Sequence, residues 1–511
     1  MKVQNYLDKG ILFFTCLTIT FLCFCVFCFS KETQIALDYL RNILGDKLSP
    51  LTLYFGIIVF LVSLFLIFSK YVNIKLINKD KERKKERIPF ITWGSMIFSC
   101  GLASDIIFYS FSEWMIYLSE PYVESKGNAF KLANVYAIFH WSLIPWSFYL
   151  VLAVCFGYLL HVKNSRREKI SVACFPLIPT KYRFSTGRII DAFAIFALIA
   201  GTATTFSIAT PLMSDIICSL LGIDINRTLL NVAILLITFV IYTTSTIHGI
   251  KGLSICSKIC MLSFVAVLIY VFTFGGKAYY ILENTASTIA YICKNFLSMA
   301  VYTDPKREFS FPQNYTVFYW SYWIAWSIVV PFFIAKISRG RSVRELIIGG
   351  YLFGCGCTVL CFSILGNYSL GHELDTGSTI LEAYRQSQDL YYVVKQIMLS
   401  LPYPKVFMSI VLFSMIIFYS TSFDSIAYSS ARYSYKFISS TNTISKKVQF
   451  TWCVLLIILP IAQQFSDDYF ACIQNICIIA AFPMLFIITL VIVSFLKEAY
   501  LVKTNVKNQT K

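Results

Sequence analysis

Residues 139–149 read Phe139-His140-Trp141-Ser142-Leu143-Ile144-Pro145-Trp146-Ser147-Phe148-Tyr149 and lie inside a long apolar segment. A second aromatic run, Tyr319-Trp320-Ser321-Tyr322-Trp323-Ile324-Ala325-Trp326, is placed in the same way. An apolar segment of about 20 residues crosses a bilayer as a helix. Tryptophan in such a helix usually sits at the water interface, where its ring is apolar and its N–H is wet. Trp141, Trp146, Trp323 and Trp326 instead fall well inside their segments. On a helix turning 100° per residue, Trp146 and Tyr149 share a face, with Trp141 about 80° from Tyr149 and about 140° from Trp146. Trp320 stands one turn before Trp323, and Trp326 one turn after. Clustered indoles at membrane depth suit a quaternary ammonium, a soft cation that cannot hydrogen-bond. Three or four desolvated rings supply about 4–8 kcal/mol before ordering costs, which corresponds to roughly millimolar to micromolar binding. The plain alternative is aromatic packing between helices.

The composition sets the frame for these runs. The chain is 57% hydrophobic and 14% charged, whereas soluble domains carry about 25% charged residues. It reads as an all-α polytopic membrane protein with no polar stretch long enough for a separate soluble domain. The net charge of +17 comes from Lys and Arg in short loops beside apolar segments, the positive-inside pattern, and does not point to nucleic acid. Most of the 17 Cys lie within apolar runs such as Leu22-Cys23-Phe24-Cys25-Val26-Phe27-Cys28. They read as small hydrophobes rather than disulfides or zinc ligands. The first segment, at about residues 10–29, is long for a signal peptide, lacks a small-residue cleavage site and reads as a retained helix.

About twelve spans are expected, centred near residues 20, 59, 102, 147, 202, 238, 267, 326, 356, 417, 456 and 482. Several apolar runs exceed 25 residues, which implies tilted or broken helices. The loop from Lys70 to Arg87 holds eight basic residues and that from Lys163 to Arg188 holds seven. Lys251 and Lys258, then Arg339, Arg341 and Arg344, then Lys436, Lys446 and Lys447 follow in later loops. With twelve spans all of them fall on one side, which places both termini in the cytoplasm of a multi-pass plasma (inner) membrane protein. An amphipathic stretch at about residues 285–300 is expected along the membrane surface. The divisions read from this pattern are residues 1–88 (two spans and a basic loop), 89–500 (the core) and 501–511 (a short tail).

The motifs resemble the betaine/carnitine/choline transporter family. Phe139-His140-Trp141-x4-Trp146-x2-Tyr149 is similar to its fourth-helix motif. Phe318-Tyr319-Trp320-x2-Trp323-x2-Trp326 with Ile337-Ser338-Arg339-Gly340-Arg341 is similar to its eighth-helix signature. Ala209-Thr210-Pro211-Leu212 and Tyr302-Thr303-Asp304-Pro305 are closer to the carnitine branch. The resemblance spans roughly residues 88–500. It implies twelve helices, with an inverted five-helix repeat of the amino-acid/sodium symporter type in helices 3–12, and a homotrimer. It also implies a trimethylammonium box of Trp141, Trp146, Tyr149 and Trp323, with Trp320 and Trp326 as further candidates. Tyr322 stands where many relatives have another Trp.

In the third span, Gly101 alone remains of a stretch that is often glycine-rich in relatives, and Asp105 is the notable replacement. A carboxylate at membrane depth is by default a functional residue. An acid here marks choline-type members of the family. Charge agrees, because choline is a net cation, whereas betaine and carnitine carry a carboxylate that Asp105 would repel. The alternative is that Asp105 only bonds a neighbouring Ser or His. In the tenth span the resemblance makes Thr421 and Ser422 ligands of Na⁺, and Cys260, with Lys258 nearby, stands where sodium-independent carnitine exchangers have Arg. Back-bonding of the two hydroxyls to their own helix is the competing reading. H⁺ coupling through Asp105 or Asp424 also stands open. His140 reads as a packing or hydrogen-bonding residue, Glu113 as a partner of a neighbouring base, and Arg339 and Arg341 as gate or topology anchors.

The reading is therefore secondary active import of a small quaternary ammonium compound (choline first, then glycine betaine or carnitine) by alternating access, with Na⁺ or H⁺ as coupling ion and no other cofactor. Its rivals are an ion-independent carnitine-type antiporter and a transport-dead sensor. A membrane enzyme is the weakest, since no nucleophile–base pair or metal cluster is visible.

Overall fold

The structure is a computed structural model that describes residues 7–69, 71–77, 87–100, 104–165, 167–248, 253–377, 379–436, 444–465 and 469–509. It is helical almost throughout, and among the described residues β pairing is limited to the isolated bridges Leu7–Tyr435 and Lys75–Ser342.

Among the described residues nine helices are long and apolar enough to cross a membrane, and up to twelve spans result when each of three bent pairs counts as one. We number them α1 (Lys9–Cys28), α2 (Ser49–Phe68), α3 (Phe90–Cys100 with Asp105–Leu118), α4 (Ala129–Val162), α5 (Thr180–Leu221), α6 (Arg227–Ile247), α7 (Leu253–Phe274), α8 (Pro312–Ala325 with Val330–Ile337), α9 (Val343–Thr376), α10 (Pro404–Tyr433), α11 (Lys446–Gln463) and α12 (Ala471–Leu501). Ten of the twelve expected centres fall inside a helix; that near 326 falls at the break of α8, and that near 102 lies outside the described residues. The helix Ala278–Ala300 turns 110° away from α7 and contains the amphipathic stretch read from the sequence.

The long apolar runs resolve in two ways. The two parts of α3 are bent by 61° and those of α8 by 52°. Gly101, the glycine that remains of the stretch often glycine-rich in relatives, lies outside the described residues. By contrast α5 continues for 42 residues, about 60 Å at 1.5 Å per residue, despite Pro211 in its interior.

Burial separates the inner from the outer helices. In α4, 89% of the apolar window is buried, against 28% in α1, whose Phe13, Phe14, Phe21 and Phe27 are exposed. Apolar surface of that kind is stable against lipid. α5 packs on α12 and α10, the first half of α8 on α12, the second half of α8 on α4, and the second half of α3 on the start of α4. With the packing of α9 on the second half of α4 and of α3, these contacts bring α3, α4, α8 and α9 together in the interior.

Glycines allow the closest approaches there. A Cβ on Gly354 of α9 would lie 2.2 Å from the Trp146 ring, and one on Gly350 would lie 2.1 Å from Leu150. Gly356, two residues on, faces nothing closer than 4.0 Å. Gly354→Val is therefore expected to lower stability by about 1–3 kcal/mol through overpacking, whereas Gly356→Ala is neutral or mildly stabilising. Thermal melting of the two variants purified in detergent checks the contrast.

Candidate functional site

Four aromatic rings from α4 and α8 converge. Trp323 is the hub, with ring centroids 5.6 Å from Trp141, 5.6 Å from Trp146 and 5.0 Å from Tyr149. Trp146 and Tyr149 meet edge-to-face at 5.8 Å. All four rings are buried. Phe362 of α9 stacks on Trp141 at 5.2 Å, and Tyr109 and Tyr319 close the same side at 5.5 and 5.8 Å.

A straight fourth helix would not build this ring, because Trp141 would lie on a different face from Trp146. Regular helix stops at His140 and resumes at Leu143. Trp141 has φ −114° and ψ 12°, and Ser142 has φ −105° and ψ −132°. This break re-aims Trp141 towards Trp323. A break in a dry interior leaves carbonyls without partners. Thr358 of α9 answers this one, its hydroxyl donating to the Trp141 carbonyl at 2.6 Å. The same oxygen accepts the Trp146 indole N–H at 3.1 Å, so one side chain fixes two members of the ring. Nothing in the aromatic motifs pointed to Thr358.

The other two tryptophans face elsewhere. Trp320 packs against Gly56 of α2 and Phe148. Trp326 starts the break of α8, beside Gly201 of α5. Neither makes a ring contact with the four-membered cluster.

Asp105 is fully buried at the start of the second part of α3. Its Oδ2 accepts a hydrogen bond from the Tyr322 hydroxyl at 2.5 Å, and that hydroxyl oxygen in turn accepts one from the Thr205 hydroxyl. Tyr322 thus supplies an O–H donor to the acid as well as an aromatic face. Asp105 Oδ1 has no hydrogen-bond partner among the described residues. Through Tyr322 the carboxylate is tied to α8 one residue before Trp323 of the ring.

The other buried carboxylates are satisfied. Asp191 pairs with Lys169 at 3.3 Å, Asp215 with Arg227 at 2.9 Å, and Glu373 caps the N–H groups of Ile380 and Leu381. Asp424 accepts from Thr246 at 2.7 Å and Ser245 at 3.0 Å. Glu113 accepts from the Tyr117 hydroxyl and, at 2.7 Å, from the Trp141 indole N–H. His140 shares the Tyr117 hydroxyl at 2.7 Å, meets Thr316 at 2.9 Å and stacks on Tyr319 at 5.1 Å. Glu113 therefore holds a ring of the cluster, and His140 lies 3.6 Å from it.

Of the expected ion ligands, Ser422 is half-buried on α10, whereas the side chains of Thr421 and Lys258 lie outside the described residues. Ser420, one residue earlier, bonds back to Ile416 at 2.9 Å. Cys260 is buried on α7.

At the basic end, Arg341 is buried with its guanidinium 3.9 Å from the Trp93 ring and 5.6 Å from Phe90. It donates to the Ile88 carbonyl at 2.8 Å. Leu76 N–H bonds the Arg341 carbonyl and Gly340 N–H bonds Leu76, both at 2.8 Å. Gly340 has φ +79°, a left-handed conformation that glycine adopts without strain. This loop thereby ties the α2–α3 connection to the end of α8. Arg339 is only half-buried and Arg344 is exposed.

A family model described as BCCT, betaine/carnitine/choline family transporter, matches residues 10–503. The chain is 25% identical to a carnitine transporter of Acinetobacter baumannii, over 90% of this chain and 83% of that one. It is 27% identical to the glycine betaine transporter OpuD of Bacillus subtilis, over 93% and 92%. It is 26% identical to the osmo-dependent choline transporter BetT2 of Acinetobacter baylyi, over 92% and 69%. With aromatic rings clustered at mid-depth among twelve spans, and a family match that runs nearly from end to end, the chain belongs to the betaine/carnitine/choline transporters.

Proposed function

We propose that this multi-pass transporter imports choline in preference to glycine betaine or carnitine, and does so coupled to an ion. The observation that carries the reading is Asp105, the buried carboxylate with an oxygen left unpartnered among the described residues, beside the ring of Trp141, Trp146, Tyr149 and Trp323. The rings take the trimethylammonium by cation–π attraction. Asp105 balances its charge in a place where an uncompensated ion is costly. Betaine and carnitine bring a carboxylate of their own, and the same acid repels it. The relatives' printed substrates cover all three compounds, so selection rests on residues of this chain.

The spans broken at α3 and α8 stand five helices apart, the arrangement expected of an inverted repeat in helices 3–12 with its substrate site at the midplane. Arg341, held between Trp93 and Phe90, anchors the loop that must loosen when the basic face opens, and Arg339 follows it. That face is cytoplasmic in the inner membrane, with both termini on it. Membrane potential favours entry of a cation by about 2.3 kcal/mol per 100 mV. Hydroxyls of Thr421 and Ser422 suit Na⁺ as an additional coupled ion, and Lys258, close to Cys260, is the alternative positive charge that would replace it.

Uptake of radiolabelled choline and glycine betaine into proteoliposomes, with and without an inward Na⁺ gradient, tests the reading. Asp105→Gly is expected to lower choline kcat/KM about tenfold or more, equivalent to ~1.4 kcal/mol, and to raise that of betaine. Exchange in preloaded vesicles without net uptake of either compound would overturn import in favour of an ion-independent antiporter. Trp323→Leu, which removes the hub ring, is expected to raise the choline KM about tenfold, the loss of roughly 1–2 kcal/mol of cation–π attraction. Arg341→Ala is expected to leave equilibrium choline binding intact while slowing uptake, as read by comparing titration calorimetry with transport.

A further inference from the structure

Glu113 lies two turns along α3 from Asp105 and is fully buried. Both of its oxygens face donors. Oε1 takes the Tyr117 hydroxyl and Oε2 takes the Trp141 indole N–H at 2.7 Å. An indole N–H can only donate, so Oε2 acts as an acceptor. The bond comes from the edge of Trp141 and leaves the ring faces to their aromatic neighbours. Tyr117 is itself held by His140, and His140 by Thr316 and by stacking on Tyr319. The acid therefore sits at the end of a buried network that joins α3, α4 and α8. Trp141, by contrast, sits in a two-residue helix break, where the helix itself fixes its direction least.

We propose that Glu113 is a positioning and selectivity residue of the aromatic site: its carboxylate orients Trp141 through the indole N–H and enriches that ring in electrons, so that the site favours a cationic headgroup over a neutral one of the same shape. The physical basis is the ring quadrupole. Cation–π attraction depends on negative potential at the ring face, and an anionic acceptor on the indole N–H pushes electron density into the ring. A charge-assisted bond is also about twice as strong as a neutral one, which holds the ring against thermal rotation while substrate enters and leaves. The proposal rests on Trp141 being a wall of the substrate site.

The test compares binding of choline with binding of 3,3-dimethyl-1-butanol, in which carbon replaces the charged nitrogen, to the full-length protein purified in detergent. Glu113→Gln keeps an oxygen to accept the indole N–H and removes the charge. It is expected to weaken choline about tenfold and to leave the neutral isostere within a factor of about two. Glu113→Asp, which keeps the charge on a shorter stem, is expected to recover part of the choline affinity. A merely structural role would weaken both ligands together, and that result overturns the proposal. So does a Gln variant equal to the parent for both ligands, which would mean that the acid is neutral or electronically silent. Trp141→Leu separates the two levels. If it abolishes the preference for choline while Glu113→Gln does not, the proposal alone fails. If it changes nothing, Trp141 is no part of the site, and the reading beneath the proposal fails with it.

Discussion

A membrane interior supplies no water to a broken helix, and the site depends on how this chain meets that constraint. Turning Trp141 towards Trp323 requires α4 to stop at His140 and restart at Leu143. The freed carbonyl of Trp141 would be costly alone, but the Thr358 hydroxyl takes it at 2.6 Å and accepts the Trp146 N–H with the same oxygen. Thr358 reaches that point because α9 presses in, with Gly354 against the Trp146 ring and Gly350 against Leu150. Small residues on α9, a hydroxyl among them and a break on α4 form one device whose product is a cluster of rings at mid-depth.

Two buried acids flank that cluster and differ in how they are satisfied. Glu113 has a donor on each oxygen, one of them a ring of the cluster. Asp105 has a donor on one oxygen, from Tyr322, and none on the other among the described residues. Carboxylates elsewhere in the interior are bonded on both sides or paired with a base. In a low-dielectric interior that difference matters, since burying a charge without a partner is costly. On the proposed reading Glu113 belongs to the frame and Asp105 to the substrate's path.

The spans were legible because they rest on hydrophobic length, which a sequence states directly. Most of the span centres, a separate helix over the amphipathic stretch and the pairing of Trp141, Trp146 and Tyr149 with Trp323 could be anticipated. Helical periodicity misplaced what lay beside a break. Trp141 is off-face on a straight helix and joins the ring only through the break at Ser142. Trp320 and Trp326 flank Trp323 by about one turn each, yet they pack on Gly56 and Gly201. Tyr322 read as an aromatic substitute, although its hydroxyl is what reaches Asp105. Thr358 could not be found by sequence alone, because its role depends on an element 217 residues away from Trp141. A signal did exist in Gly354-Cys355-Gly356-Cys357-Thr358, a run of small residues inside an apolar span, which is how helices approach closely in lipid.

The central claim is that a quaternary ammonium sits among these four rings, next to Asp105. Its most direct test is to locate the cation itself. Crystals grown with arsenocholine, in which trimethylarsonium replaces trimethylammonium, give an anomalous peak at the arsenic. The account predicts a single strong peak within about 6 Å of the centroids of Trp141, Trp146, Tyr149 and Trp323, on the side of Asp105. A peak outside that ring, with the four aromatics still packed against one another, would contradict it.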